Sequence, residues 1–256
     1  MSGEGDWEES YEKAKSFVSQ LTLLEKVNLT TGVGWAGERC IGNTGFIPRL
    51  GFVGFCTEDS PLGVRSTGIN VASIWSTDLM YARGNAMGYE HRGKGIDVQL
   101  GPVSGPLGRV LEGGRNWEGF GPDPVLTGVY MKETIIGIQD AGVIAFNGTI
   151  PEWCLDDTAI RIIAAFYKVG RDKTRVPINF SAWTLDTTGA LHNQVSVDYG
   201  VGVINEHVNV QGDHANVIRE IGQRSIVLLQ NNKKELPLSN PKSIAIIGED
   251  AHPNPA

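Results

Sequence analysis

The chain has 256 residues, 41% of them hydrophobic and 20% charged, which suits one large α/β domain or two smaller ones. Its net charge is −7, from 22 basic and 29 acidic residues, and no basic run exists, which argues against nucleic acid as a partner. No apolar run approaches the roughly 18 residues of a membrane span, so no membrane association is expected.

The polar, acidic start, Met1-Ser-Gly-Glu-Gly-Asp-Trp7, does not read as a signal peptide. Trp7 to Leu29 reads as an amphipathic helix, with Ala14, Phe17, Val18, Leu21, Leu24 and Val27 at three- and four-residue steps. Thr22 and Glu25 form a capping-box pattern that would start a second helix. Gly32 to Gly37 matches Gly-x-Gly-x-x-Gly but follows a helix rather than a strand, so a turn is expected there rather than a dinucleotide site. Phe52 to Phe55 suits a short buried strand, which places Asp59 near its C-terminal end. A cap or turn role is the plain alternative for that carboxylate.

Ser76 to Gly93 reads as a helix capped by Ser76 or Thr77, and Ile96 to Leu100 as a strand. A glycine- and proline-rich stretch, Gly101 to Gly121, follows and carries Arg109, Glu112, Arg115, Asn116, Trp117 and Glu118. It reads as a long loop at a strand's C-terminal end, where α/β folds hold ligands; a solvated surface loop is the alternative. A helix from Pro124 to Ala141, a strand from Val143 to Ala145 and a helix from Asp156 to Gly170 come next. This alternation implies parallel strand pairing. Val176 to Val210 reads as an irregular linker, His214 to Leu229 as a helix and Ser243 to Asp250 as a strand.

The five histidines lack metal-ligand spacing, so neither a metal nor a cofactor is expected. Cys40 and Cys56 could close one loop, leaving Cys154 over. Asn28, Asn147 and Asn179 begin glycosylation sequons.

Four motifs are long and specific: Glu-Asp-Ser-Pro-Leu-Gly-Val-Arg at 58–65, Leu-Gly-Pro-x-x-Gly-Pro-Leu-Gly-Arg at 100–109, Gly-Gly-Arg-Asn-Trp-Glu-Gly-Phe-x-Pro-Asp-Pro at 113–124, and Asn-Gly-Thr-Ile-Pro-Glu-Trp at 147–153. With them the chain resembles the fungal β-glucosidases of glycoside hydrolase family 3, from about Tyr11 to Asp250. The resemblance implies hydrolysis of terminal β-D-glucosyl residues, as in cellulose and β-glucan breakdown, by an extracellular glycoprotein. An intracellular location stays open for a chain starting as this one does. The implied fold is α/β: a partial (β/α)8-like barrel over residues 1–175, a linker over 176–212, and the start of an α/β sandwich over 213–256.

By the same resemblance, Asp59 hydrogen-bonds the hydroxyls of glucose or a β-glucoside, and Arg115 contacts the sugar. Arg109 and Glu118 hold Arg115, and Trp117 either lies beneath the pocket or serves the core. The sequence also departs from the family. Phe146 follows Ala145 where relatives continue into a sugar-gripping Lys-His pair, and the Ser-Asp-Trp segment bearing the nucleophile is missing. A smaller loss falls between Arg65 and Gly68, and the acid/base belongs to a sandwich segment beyond Ala256. A retaining glycosidase needs two carboxyl groups about 5–5.5 Å apart. The expectation is therefore an internally deleted, C-terminally shortened β-glucosidase without catalysis. The alternative is a non-catalytic carbohydrate-binding or regulatory protein.

Overall fold

The computed structural model describes residues 5–34, 40–59, 67–104, 116–146, 155–191, 200–232 and 236–245. The chain divides into two units, Met1–Ser225 and Ile226–Ala256.

In the first unit, α1 (Glu8–Val18) and α2 (Leu23–Thr31) replace the single helix expected from Trp7 to Leu29. The break falls where the Thr22 side chain accepts from Glu25 N and the Glu25 carboxylate accepts from Thr22 N, the expected capping box. The sheet holds β1 (Gly42–Asn43), β2 (Cys56–Glu58), β3 (Val98–Leu100) and β4 (Ile144–Phe146), in that order. β1 pairs antiparallel with β2, while β2–β3 and β3–β4 are parallel, as the helix–strand alternation predicts.

The strand expected at Phe52 to Phe55 forms later, at Cys56. Gly51 and Gly54 have φ of 70° and 81°, outside extended backbone, and Phe52 makes only an isolated bridge to Ile47. The register then sets Thr57 beside Val98 and Glu58 beside Gln99.

The helices α4 (Thr77–Lys94), α5 (Pro124–Asp140) and α6 (Leu155–Lys168) match their expected segments within a few residues. Ser76 caps α4 at Leu79 N, and Asp123 caps α5 at Val125 N and Leu126 N. Short α3 (Gly68–Ala72), capped by Thr67, was not expected from periodicity. α4 and α5 lie backbone against backbone. A Cβ added at Gly137 would come 2.4 Å from the Tyr81 carbonyl oxygen, and one at Gly84 would come 2.5 Å from that of Thr134.

Side chains alternate across the sheet and divide the core. Val98 and Ile144 join α1 and α6 through Ala14, Val18, Ala159 and Ile163, beside the edge-to-face rings of Phe17, Phe52, Phe55 and Phe166. Ala145, on the other face, meets Ala86, Met87 and Ile138 of α4 and α5. Helices thus cover both faces, which is how parallel strands are normally buried.

The sheet is tied to the chain after α6 by buried charge. Asp97 accepts from Cys56 N at 2.8 Å and from Arg171 Nε at 2.6 Å, with Arg175 3.8 Å away. The stretch read as an irregular linker contains an antiparallel pair, β5 (Thr188–Ala190) and β6 (Val201–Val203). Gly189 and Gly202 hide its strand pattern by diluting the apolar alternation. The helix expected from His214 to Leu229 stops early: α7 is His214–Arg224, with Ile221 buried beside Val71, Met80 and Phe120. Ile226 and Val227, β-branched and exposed, gain nothing from prolonging it.

The second unit has no α-helix or strand among its described residues. Asn231 bonds Leu236 twice there, donating from Nδ2 to Leu236 O and accepting from Leu236 N. The expected strand Ser243–Asp250 is irregular over 243–245; the rest of it lies outside the described residues.

Candidate functional site

β2 ends in Glu58 and hands the chain to Asp59, at the C-terminal end of a parallel strand. Consecutive residues of an extended chain point to opposite sides. Asp59 is exposed, whereas Glu58 is only 8% exposed and accepts from Ile41 N at 3.3 Å. Burial pushes the Glu58 carboxyl up to about 7, against the opposing pull of the Ile41 and Asp59 backbone N–H groups. The Cys40–Cys56 disulfide, with a Cα–Cα distance of 5.5 Å, fixes the same corner by joining the segment before β1 to β2.

From the α4 side, His91 is buried with Nδ1 2.8 Å from Met87 O and bonds the Asp59 backbone as well. Burial lowers its pKa, so the ring is neutral at physiological pH and its single N–H serves one of the two at a time. Gln99, beside Glu58 in register, is fully buried. Its Nε2 lies 3.8 Å from Met87 Sδ, and its Oε1 has no hydrogen-bond partner among the described residues. Glu58, His91 and Gln99 escaped the sequence reading. A polar residue inside an apolar strand such as Ile96 to Leu100 is the signal that would have found Gln99.

Trp117 and Glu118 lie in a turn before α5; Trp117 is 44% exposed, not core. Their backbone meets the start of α3: Ile69 N donates to Trp117 O, and a Cβ on Gly68 would strike the Glu118 carbonyl. Arg109, Arg115, Glu112, Asn147, Glu152, Cys154 and the end of the glycine pattern, Trp35 to Gly37, lie outside the described residues. Of the remaining sequons, Asn28 is exposed. Asn179 is 5% exposed and donates from Nδ2 to Gly93 O at 2.9 Å.

The Asp59 side chain, with its two oxygens, can accept hydrogen bonds from two hydroxyls. Glu58 is closed off from solvent while Asp59 is exposed, so the two do not present a carboxyl pair to one ligand. No cluster of potential metal ligands occurs among the described residues, and no described helix is long and apolar enough to cross a membrane.

No family model matches the chain. Its curated relatives are nonetheless consistent: it is 38% identical to a probable β-glucosidase A of Aspergillus terreus over 396 residues, covering 99% of this chain and 46% of the relative. The chain is a homologue of the fungal family 3 β-glucosidases. It is 37% identical to a probable β-glucosidase of Arthroderma benhamiae, covering 98% of this chain and 51% of that protein. A glycoside hydrolase family 3 β-glucosidase from Neurospora crassa superposes with a TM-score of 0.87 at 39% identity, over 98% of this chain and 46% of that one. A Chaetomium thermophilum β-glucosidase gives 0.82 at 38% identity, over 93% of this chain and 45% of its own. The chain spans about half the length of the curated relatives it matches. Because 396 residues of the Aspergillus terreus protein align with a chain of 256, that relative carries internal residues without a counterpart here.

Proposed function

We propose that this β-glucosidase-like protein binds glucose or a β-glucoside at the end of β2 and does not hydrolyse it. Asp59 would take the sugar hydroxyls, with Arg115 as the cationic contact, Arg109 and Glu118 orienting Arg115, and Trp117 offering an apolar face. The carrying observation is the exposed Asp59 at a parallel strand's C-terminal end, backed by His91, in a chain homologous to β-glucosidases. Residues 1–175 form a partial barrel in this reading, 176–212 the linker, and 213–256 the beginning of a sandwich domain. The protein would act extracellularly and carry glycans.

Loss of hydrolysis follows from the missing Ser-Asp-Trp segment, which removes the covalent route. Glucose titration followed by tryptophan fluorescence, alongside release of nitrophenol from an aryl β-glucoside, tests the proposal. Saturable binding abolished by Asp59→Ala, with no nitrophenol above buffer, is the expected result. Turnover by protein free of contaminating enzyme overturns the loss of catalysis. No binding reduces the chain to a remnant of its family.

A further inference from the structure

α2 carries exposed apolar side chains at helical spacing: Leu23, Leu24 and Val27 are 73%, 68% and 36% exposed. The loop between β1 and β2 lies against the same helix at two points. Arg49 Nε donates to Glu25 Oε1 at 2.8 Å and Arg49 Nη2 to Gln20 O at 2.6 Å, while Gly45 N donates to Asn28 O at 3.1 Å. At the second point the approach is close enough that a Cβ added at Gly45 would come 2.7 Å from Asn28 Cβ. The next residue, Phe46, is 45% exposed, and Val53 is 49% exposed. The Phe46 ring lies over Gly54, with its Cδ1 3.6 Å from where a Gly54 Cβ would stand.

Asn28 therefore stands within an apolar patch. Leu24 is one turn before it on the same face of α2, and Phe46 follows the glycine that touches it. Asn28 is itself exposed and opens the sequon Asn28-Leu29-Thr30. The Glu25–Arg49 pair gives the patch a polar edge. An exposed apolar patch edged by polar groups marks a surface that another group covers. Here the point of attachment for such a group lies inside the patch.

We propose, on the reading of this chain as a secreted glycoprotein, that an N-linked glycan on Asn28 folds back over the patch, its first N-acetylglucosamine residues against the Phe46 ring. Attachment joins Asn28 Nδ2 to the anomeric carbon of an oligosaccharide from a polyisoprenyl-pyrophosphate donor. The pyrophosphate leaves with the bonding pair, and Nδ2 gives up one proton. A pyranose presents C–H groups on its face, and their positive hydrogens suit the negative face of an aromatic ring, as the edge of a second ring does. The hydroxyls of the sugar stay in water, so the contact removes apolar surface from solvent without stranding a donor or acceptor. The glycan is then a permanent cover for Phe46 and Leu24.

The full chain, Asn28→Gln, Phe46→Ala and the double variant, each secreted from a eukaryotic host, provide the test. The same set made in a bacterial periplasm, which forms disulfides but adds no such glycan, gives the baseline for the side-chain changes alone. Intact mass reads the glycan, and 1-anilinonaphthalene-8-sulfonate fluorescence reads exposed apolar surface. With the glycan present, the parent should melt about 2–4 °C above Asn28→Gln, and Phe46→Ala should remove most of that difference. Asn28→Gln should also raise dye fluorescence over the parent, and the rise should vanish once Phe46 is alanine. A glycan on Asn28 that changes neither dye nor midpoint overturns the docking and leaves the glycoprotein reading standing. No glycan on Asn28 overturns both. A dimer in sedimentation that Phe46→Ala dissolves despite the glycan gives the patch to a second copy and also overturns the proposal.

Discussion

His91, near the end of α4, bonds the backbone of Asp59, although the two stand thirty-two positions apart with a whole helix between them. The same ring stands 2.8 Å from Met87 O, so one imidazole, its single N–H serving one of the two backbone acceptors at a time, joins the helix to the end of β2. Removing it leaves a cavity and breaks the link between α4 and the end of β2. We expect His91→Ala to destabilise the protein by about 1–3 kcal/mol. It should also weaken glucose binding, whereas a purely structural ring would lower only the thermal midpoint. Calorimetry and titration together separate the two.

Glu58 gives stability a pH dependence of known sign. Its native pKa, about 7, lies above the ordinary 4.5, so the folded state holds this proton more tightly than the unfolded chain does. Its contribution to stability is complete below about 4.5 and is lost as pH rises through about 7. Glu58→Gln should therefore melt close to the parent at pH 4 and about 3 °C or more above it at pH 8. Equal differences at both pH values would show that burial does not govern this carboxyl.

The buried Asp97–Arg171 pair offers a third test. Cutting Asp97 to Ala removes the acceptor for Cys56 N and leaves a buried guanidinium unpaired. The expected loss is about 3–5 kcal/mol, measured by denaturant unfolding. Arg171→Met should behave alike. The double variant should lose less than the sum, because each single change already breaks the shared interaction.

The Cys40–Cys56 bridge closes a short loop at the corner that holds Glu58. Replacing both cysteines by alanine should cost about 3 kcal/mol if the loop-entropy account applies. A thermal midpoint indifferent to reductant would mean that the bridge is not formed in the purified protein.

The two described sequons differ in access. When the chain is secreted from a eukaryotic host, Asn28→Gln should remove one glycan mass. Asn179→Gln should leave the mass unchanged and lower stability, because the Asn179 amide already holds the Gly93 carbonyl. Mass spectrometry of the intact variants reads both outcomes.

The helices were legible where caps and periodicity acted together. Thr22 with Glu25, and Ser76, each mark a helix start within one turn of sequence. α7 was overextended because Ile226 to Leu229 continue its apolar pattern, yet those side chains are exposed. β5 and β6 were missed for the opposite reason: their contacts lie across the hairpin, and glycines leave little pattern along either strand. Asp59 could be proposed as a site from its motif, but nothing local indicated that His91 and Glu58 would surround it.

What the order of residues determined alone was the α/β alternation, the parallel pairing of its strands and the kinship with β-glucosidases. Hydrogen bonds of a single helical turn, and the burial of one face, are written in neighbouring residues. Only the tertiary structure decided that Glu58 would be buried while Asp59 met solvent, and that Asn179 would be closed off. Those outcomes depend on which distant segment covers a given atom, and exclusion of water from an atom is a property of the assembled fold.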